Sequence, residues 1–125
     1  MKLLLDTHIL LWVMQDEPRL GRAARRVLNE AEAVHVSSVS LWEIAIKRSL
    51  GKLRVDEETL DTQLDKIGFA PLPITWAHTR AVRRLPLLHT DPFDRMLVAQ
   101  ALTEPLHLLT HDAALKPYSD LVIVV

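Results

Sequence analysis

Short, uninterrupted apolar runs alternate along the chain with longer segments whose apolar residues recur every three or four positions. The runs fall at Lys2–Leu5, Val34–Ser37, Phe69–Leu72, Leu106–Thr110 and Leu121–Val125. Several lack polar alternation, which is the pattern of strands covered on both faces. Helices are predicted over Thr7–Met14, Arg22–Ala31, Leu41–Leu50, Glu57–Ile67, Thr75–Leu85 and Pro92–Leu102. Leu20, Ala23, Ala24, Val27, Leu28 and Ala31 show the helical spacing best. Gly51 and Gly68 stand where helices should end, and Pro92 stands at a natural first helical position. Strand–helix alternation of this kind argues for a parallel sheet with helices on both faces. The expected fold is α/β, in three α/β/α layers around four to five parallel strands. No repeat, linker or low-complexity tract interrupts the chain, so residues 1–125 read as a single domain.

In such a sheet the carboxyl ends of the strands share one rim, and ligands bind in the crevice there. Four acids, far apart in sequence, stand near changes from strand-like to helix-like pattern. Asp6 follows Leu3-Leu4-Leu5, and Glu43 follows Ala33–Ser37. Asp94 lies in Asp91-Pro92-Phe93-Asp94-Arg95, and Asp112 follows Leu106–Thr110. Folding should gather these carboxylates into one pocket. Two unit charges about 4–5 Å apart repel by roughly 3–4 kcal/mol at an effective dielectric of about 20. Hard divalent ions such as Mg²⁺ or Mn²⁺ remove that penalty, because carboxylate and water oxygens are their preferred ligands. The pattern points to a metal-dependent phosphodiesterase.

Each acid taken singly also has a structural explanation. Ser40-Leu41-Trp42-Glu43 fits a capping box, in which Glu43 would bond back to the Ser40 amide. Asp91 fits a helix N-cap with Asp94 in the first turn, and Asp6 and Asp112 also fit as caps. Caps alone, however, have no reason to converge on one rim. Asp91 is an ambiguous fifth acid, with N-cap the preferred role. Thr7 and Thr110 adjoin the rim, where their hydroxyls could orient a carboxylate or a water, or simply serve the turns. Lys47, Arg48, Lys52, Arg54 and Arg95 are nearby cations. Arg95 would pair with a helix-surface acid or clamp a substrate phosphate. Trp12, Trp42 and Trp76 are spaced as core-facing or interface positions.

Composition narrows the chemistry. Net charge is −1, from 15 Lys+Arg against 16 Asp+Glu, which neither advertises nor excludes nucleic acid. With no cysteine there is no disulfide framework or thiolate site, and no histidine pair has metal-ligand spacing on a helix, which argues against zinc. His8 and His111 neighbour Asp6 and Asp112 without a defined role. No glycine-rich phosphate loop occurs. The longest apolar run, near Ile9–Met14, is too short for a bilayer, and the first residues meet Asp6 too early for a signal peptide. The expected location is the cytoplasm, away from the membrane. Two other classes remain open. A phospho-signalling, receiver-like domain also places acids at strand ends, but it needs a lysine after a late strand, and only Lys116 is available. A non-catalytic protein-binding α/β module is the third reading.

Four segments resemble the PIN domain, and more narrowly the VapC-type ribonuclease toxins of type II toxin–antitoxin modules. They are Leu4-Leu5-Asp6-Thr7-His8, Ser37–Ile44, His89–Ala101 and Leu109-Thr110-His111-Asp112, and they span essentially the whole chain. The resemblance implies that Asp6, Glu43, Asp94 and Asp112 are the acidic metal-binding quartet, with Thr110 as an accessory hydroxyl. It further implies Mg²⁺- or Mn²⁺-dependent cleavage of RNA, a cognate antitoxin as partner, and a homodimer.

Overall fold

In the computed structural model, which describes all of residues 1–125, five strands form one parallel sheet. They are β1 (Lys2–Leu5), β2 (Ala33–Ser37), β3 (Ala70–Leu72), β4 (His107–Thr110) and β5 (Val122–Val124), in the spatial order β3-β2-β1-β4-β5. The helices are α1 (Thr7–Met14), α2 (Gly21–Glu30), α3 (Ser38–Ser49), α4 (Glu57–Ile67), α5 (Trp76–Arg84) and α6 (Pro92–Thr103). Short 3₁₀ turns occupy Pro18–Leu20 and Ala113–Tyr118. The expected α/β/α fold and parallel sheet are therefore present.

Alternation of side chains along β1 divides the core. Leu3 and Leu5 pack with Ile9, Leu10, Ala24, Ile44 and Leu60, from α1 to α4, on one face. Leu4 points the other way, onto Leu97, Val98 and Ala101 of α6. Leu109 and Leu108 of β4 repeat the same division. Because both faces of the central strands are covered, these strands read as continuous apolar runs rather than alternating ones.

The largest departure from the sequence expectation is the start of α3. It begins at Ser38, three residues before the expected Leu41, because Ser37 rather than Ser40 is its cap. Ser37 Oγ accepts from the Val39 amide at 3.0 Å and donates to Gln100 Oε1 at 2.6 Å. Strand β2 thus runs into α3 without a loop. Gly51 does close α3, in a left-handed conformation with φ of 71°. Its amide bonds to Arg48 O at 3.0 Å, and the Lys52 amide bonds to Lys47 O at 2.9 Å. These two bonds form a Schellman motif.

A second polar network lies on the α5–α6 side. His78, fully buried, accepts the Thr75 amide on Nδ1 at 3.0 Å, which assigns its proton to Nε2. That N–H donates to Glu104 Oε2 at 2.6 Å. Gln100 Nε2 donates towards His78 Nδ1 at 3.3 Å and Pro73 O at 3.4 Å. Gln100 therefore ties α6 to α5 and, through Ser37, to the sheet.

Candidate metal centre

The direction of strand order reverses between β1 and β4, the topological switch point of the sheet. Open α/β sheets leave a crevice at that place, beyond the strand carboxyl ends. Asp6 and Asp112 leave those two strands directly. Asp6 is 3 % exposed and caps α1, its Oδ1 accepting from the Ile9 amide at 2.8 Å. Its Oδ2 accepts from the Thr110 hydroxyl. Thr110 Oγ1 also accepts the Asp112 amide at 3.0 Å, so one hydroxyl ties both strand ends together. Asp112 Oδ1 in turn accepts from the Ala114 amide at 2.9 Å.

Glu43 and Asp94 arrive from helices. Glu43 projects from the second turn of α3 rather than from a strand–helix junction, with its side chain 4 % exposed. Its Oε2 accepts from Lys47 Nζ at 2.5 Å, one helical turn away. Its Oε1 is buried without any hydrogen-bond partner. The capping-box explanation of Glu43 fails because Ser40 lies inside the helix, where its Oγ accepts from Thr7 Oγ1 at 3.0 Å. Asp94 sits in the first turn of α6, preceded by a turn and not by a strand. Its amide donates to Asp91 Oδ1 at 3.0 Å, so Asp91 is the cap of α6.

A cleft of about 340 Å³ is lined by Asp6, Asp94 and Asp112 together with His8, Trp12 and His111. A larger crevice, about 430 Å³, lies between α4 and the β2–β3 edge, but its lining is mainly apolar and offers no convergent chemistry beyond Asp61 and Asp65. Burial pushes the Asp6 carboxyl up, against the opposing pull of the Thr110 and Ile9 hydrogen bonds, and the Glu43 charge adds to the rise. Burial is also the main cause that raises Asp94, to about 6, with the charges of Asp91 and Asp6 contributing and the His89 hydrogen bond opposing. The Glu43 carboxylate holds the Lys47 ammonium above the ordinary lysine range. The charges of Asp91 and Asp94 add to the rise, so this one ammonium answers three acids.

Two of the sequence expectations fail here. Thr7 orients no carboxylate, since its hydroxyl is directed to Ser40. Arg95 neither pairs with an acid nor lies free for a phosphate. Its Nη1 donates to Pro86 O and Tyr118 Oη, both at 3.0 Å, and weakly to His89 O at 3.5 Å, while Nη2 reaches Val82 O and Leu85 O. Among the tryptophans, Trp12 packs against the core, but Trp42 and Trp76 are 58 % and 80 % exposed. Lys116 donates to Val122 O at 2.7 Å and so is committed to the backbone.

One residue of the centre was not anticipated. His89 Nε2 lies 2.9 Å from Asp94 Oδ2 and 3.9 Å from Asp112 Oδ2. Helical spacing overlooks it because a turn, not a helix, carries it five positions ahead of Asp94. As a whole the donor set fits a divalent cation: it is carboxylate-rich, it includes an unpartnered buried oxygen on Glu43, and only one ammonium balances it.

A family model described as "PIN domain" matches residues 3–121. Among curated proteins none matches. Similar solved structures include VapBC2 from Rickettsia felis bound to a promoter DNA fragment, at 17 % identity and TM-score 0.70, covering 100 % of this chain and 98 % of that one. A toxin–antitoxin complex from Klebsiella pneumoniae follows at 17 % and 0.67, covering 97 % and 95 %. FitAcB from Neisseria gonorrhoeae follows at 15 % and 0.67, covering 98 % and 96 %. At these identities the structural likeness is one of fold.

Proposed function

We propose, from the premise that this chain belongs to the PIN-domain family, that it is a divalent-cation-dependent endoribonuclease and the toxin of a toxin–antitoxin pair. The observation that carries this reading is the gathering of Asp6, Asp94 and Asp112 around one cleft at the sheet's switch point, with the buried Glu43 near enough to raise Asp6 and carrying an unpartnered oxygen. Asp6, Glu43, Asp94 and Asp112 are the residues assigned to hold Mg²⁺ or Mn²⁺. A bound ion there supplies Lewis acidity towards a phosphodiester and lowers the pKa of water.

The chain's own residues prepare that arrangement. Thr110 and the Ile9 amide fix both oxygens of Asp6, so its orientation is set before any ligand arrives. Lys47 holds one oxygen of Glu43 and leaves the other free. The N-terminus of α6 partly offsets the charge of Asp94. No serine, cysteine or lysine nucleophile borders the cleft, so water is the nucleophile in this reading.

RNA is the proposed substrate and the cytoplasm the proposed location; no helix is long and apolar enough to cross a membrane. A cognate antitoxin is the proposed protein partner, supported by likeness to a chain whose structure is described as a toxin–antitoxin complex. A homodimer is proposed as the working unit, supported by exposed Trp76, Leu87 and Trp42. The receiver-like alternative is disfavoured, because Lys116 is bound to the backbone away from the acids.

The test is cleavage of total RNA by the purified chain with Mg²⁺ or Mn²⁺, with EDTA, and with Asp94→Asn. Fragments that require both the ion and Asp94 are the expected result. Undiminished cleavage in EDTA, or by a folded Asp94→Asn chain, would overturn the reading.

A further inference from the structure

We propose that His89 is itself a ligand of the cation, forming with Asp94 and Asp112 an outer nitrogen-and-oxygen site beside the carboxylate-only end at Asp6 and Glu43. This rests on the cation-dependent reading above and makes it more specific. Ligand atoms of His89, Asp94 and Asp112 all lie within 4.8 Å of one another, close enough to share one ion. The imidazole and the Asp94 side chain are each 22 % exposed, so both are partly buried; Asp94 and Asp112 line the cleft, and His89 stands behind them within bonding reach.

Independent of that cluster, the turn carrying His89 is built to stay in place. Arg95 directs its guanidinium to the carbonyls of Val82, Leu85, Pro86 and His89 and to Tyr118 Oη, with no carboxylate partner. Tyr118 Oη also accepts the Leu88 amide, at 3.3 Å. These contacts fix the backbone that leads up to His89 and His89's own carbonyl. The other imidazole at the cleft with a defined contact, His111, is engaged elsewhere: its Nδ1 meets Val125 O at 2.5 Å and its ring packs edge-on against Trp12. The unpartnered oxygen of Glu43, near Asp6, is a separate demand for positive charge.

A site with one imidazole and two carboxylates favours Mn²⁺-class ions over Mg²⁺, because imidazole suits transition metals whereas Mg²⁺ prefers oxygen alone. His89 would therefore tune which ion the centre retains. The alternative is that His89 only orients Asp94 through an Nε2–H hydrogen bond.

The experiment is pulsed electron paramagnetic resonance of Mn²⁺ bound to the purified full chain, with and without ¹⁵N-histidine labelling. The variants are His89→Gln, which keeps a side-chain N–H donor, and Asp94→Asn. Expected are a directly coordinated nitrogen in the wild type, conversion of its coupling on ¹⁵N labelling, and its loss in His89→Gln. Mn²⁺ affinity should fall about tenfold or more in His89→Gln, with a smaller change for Mg²⁺. Asp94-dependent Mn²⁺ binding without nitrogen coupling would overturn the role of His89 alone and leave the nuclease reading standing. So would coupling that persists in His89→Gln. Mn²⁺ binding indifferent to Asp94→Asn, or no binding at all, would overturn both.

Discussion

Two buried polar clusters sit on either side of Ser37, and they are built on opposite terms. In the α5–α6 cluster, His78, Gln100, Ser37 and Thr75 exchange hydrogen bonds with one another and with Glu104 and Pro73. None of their buried side-chain atoms is left without a partner. At the sheet's switch point, acids meet acids, and one buried oxygen of Glu43 has nothing to bond. Satisfied networks hold a fold together, whereas like charges crowded without partners oppose folding until a ligand arrives. The difference separates residues that maintain the architecture from residues the architecture strains to bring together.

Substitutions should expose that contrast. Asp94→Asn is expected to reduce RNA cleavage by roughly a hundredfold to a thousandfold, since an ion's charge stabilisation is worth several kcal/mol. Chemical denaturation should show the same chain to be as stable as the wild type or more so, because repulsion is relieved. Gln100→Leu should do the reverse. It strands the Ser37 hydroxyl and removes a donor to Pro73, at a cost of about 2–4 kcal/mol in urea unfolding, with cleavage per folded molecule retained.

Acidity offers a subtler test. The Asp94 carboxyl is raised to about 6 in the fold, against about 3.9 for a solvated aspartate. Between those values the folded chain holds a proton that the unfolded chain has released, so stability falls as pH rises through that window. The loss is at most about 3 kcal/mol, and roughly half that after solvent screening of this partly exposed group. Thermal melts in EDTA should show this slope, and Asp94→Asn should flatten it. Arg95→Met is expected to have the smallest effect, about 1–2 kcal/mol in unfolding, with Arg95→Lys recovering only part because an ammonium lacks the planar fork.

Much of this was legible in the chain. Continuous runs such as Leu3-Leu4-Leu5 announced a sheet covered on both faces, and strand order places Asp6 and Asp112 together once β1 and β4 are neighbours. The start of α3 was not legible, because Ser37, Ser38 and Ser40 are all plausible caps, and a contact 63 positions away, with Gln100, accompanies the choice of Ser37. His89 was hidden for a similar reason. Its approach to Asp94 depends on an irregular turn that Arg95 secures by contacts with carbonyls and Tyr118 secures from far along the chain. Arg95 itself reads as an ordinary surface cation until the carbonyls around it are known.

The seamless passage from β2 into α3 has one more consequence. With Ser37 serving as both strand end and cap, no slack separates the sheet from Glu43. Adding a single residue between Ser37 and Ser38 would swing Glu43 about 100° around the helix axis. That carboxylate would then swing away from Asp6, towards the solvent or the apolar side of the layer, with every strand still paired. Tolerance to insertions should therefore drop to nothing at this one peptide bond.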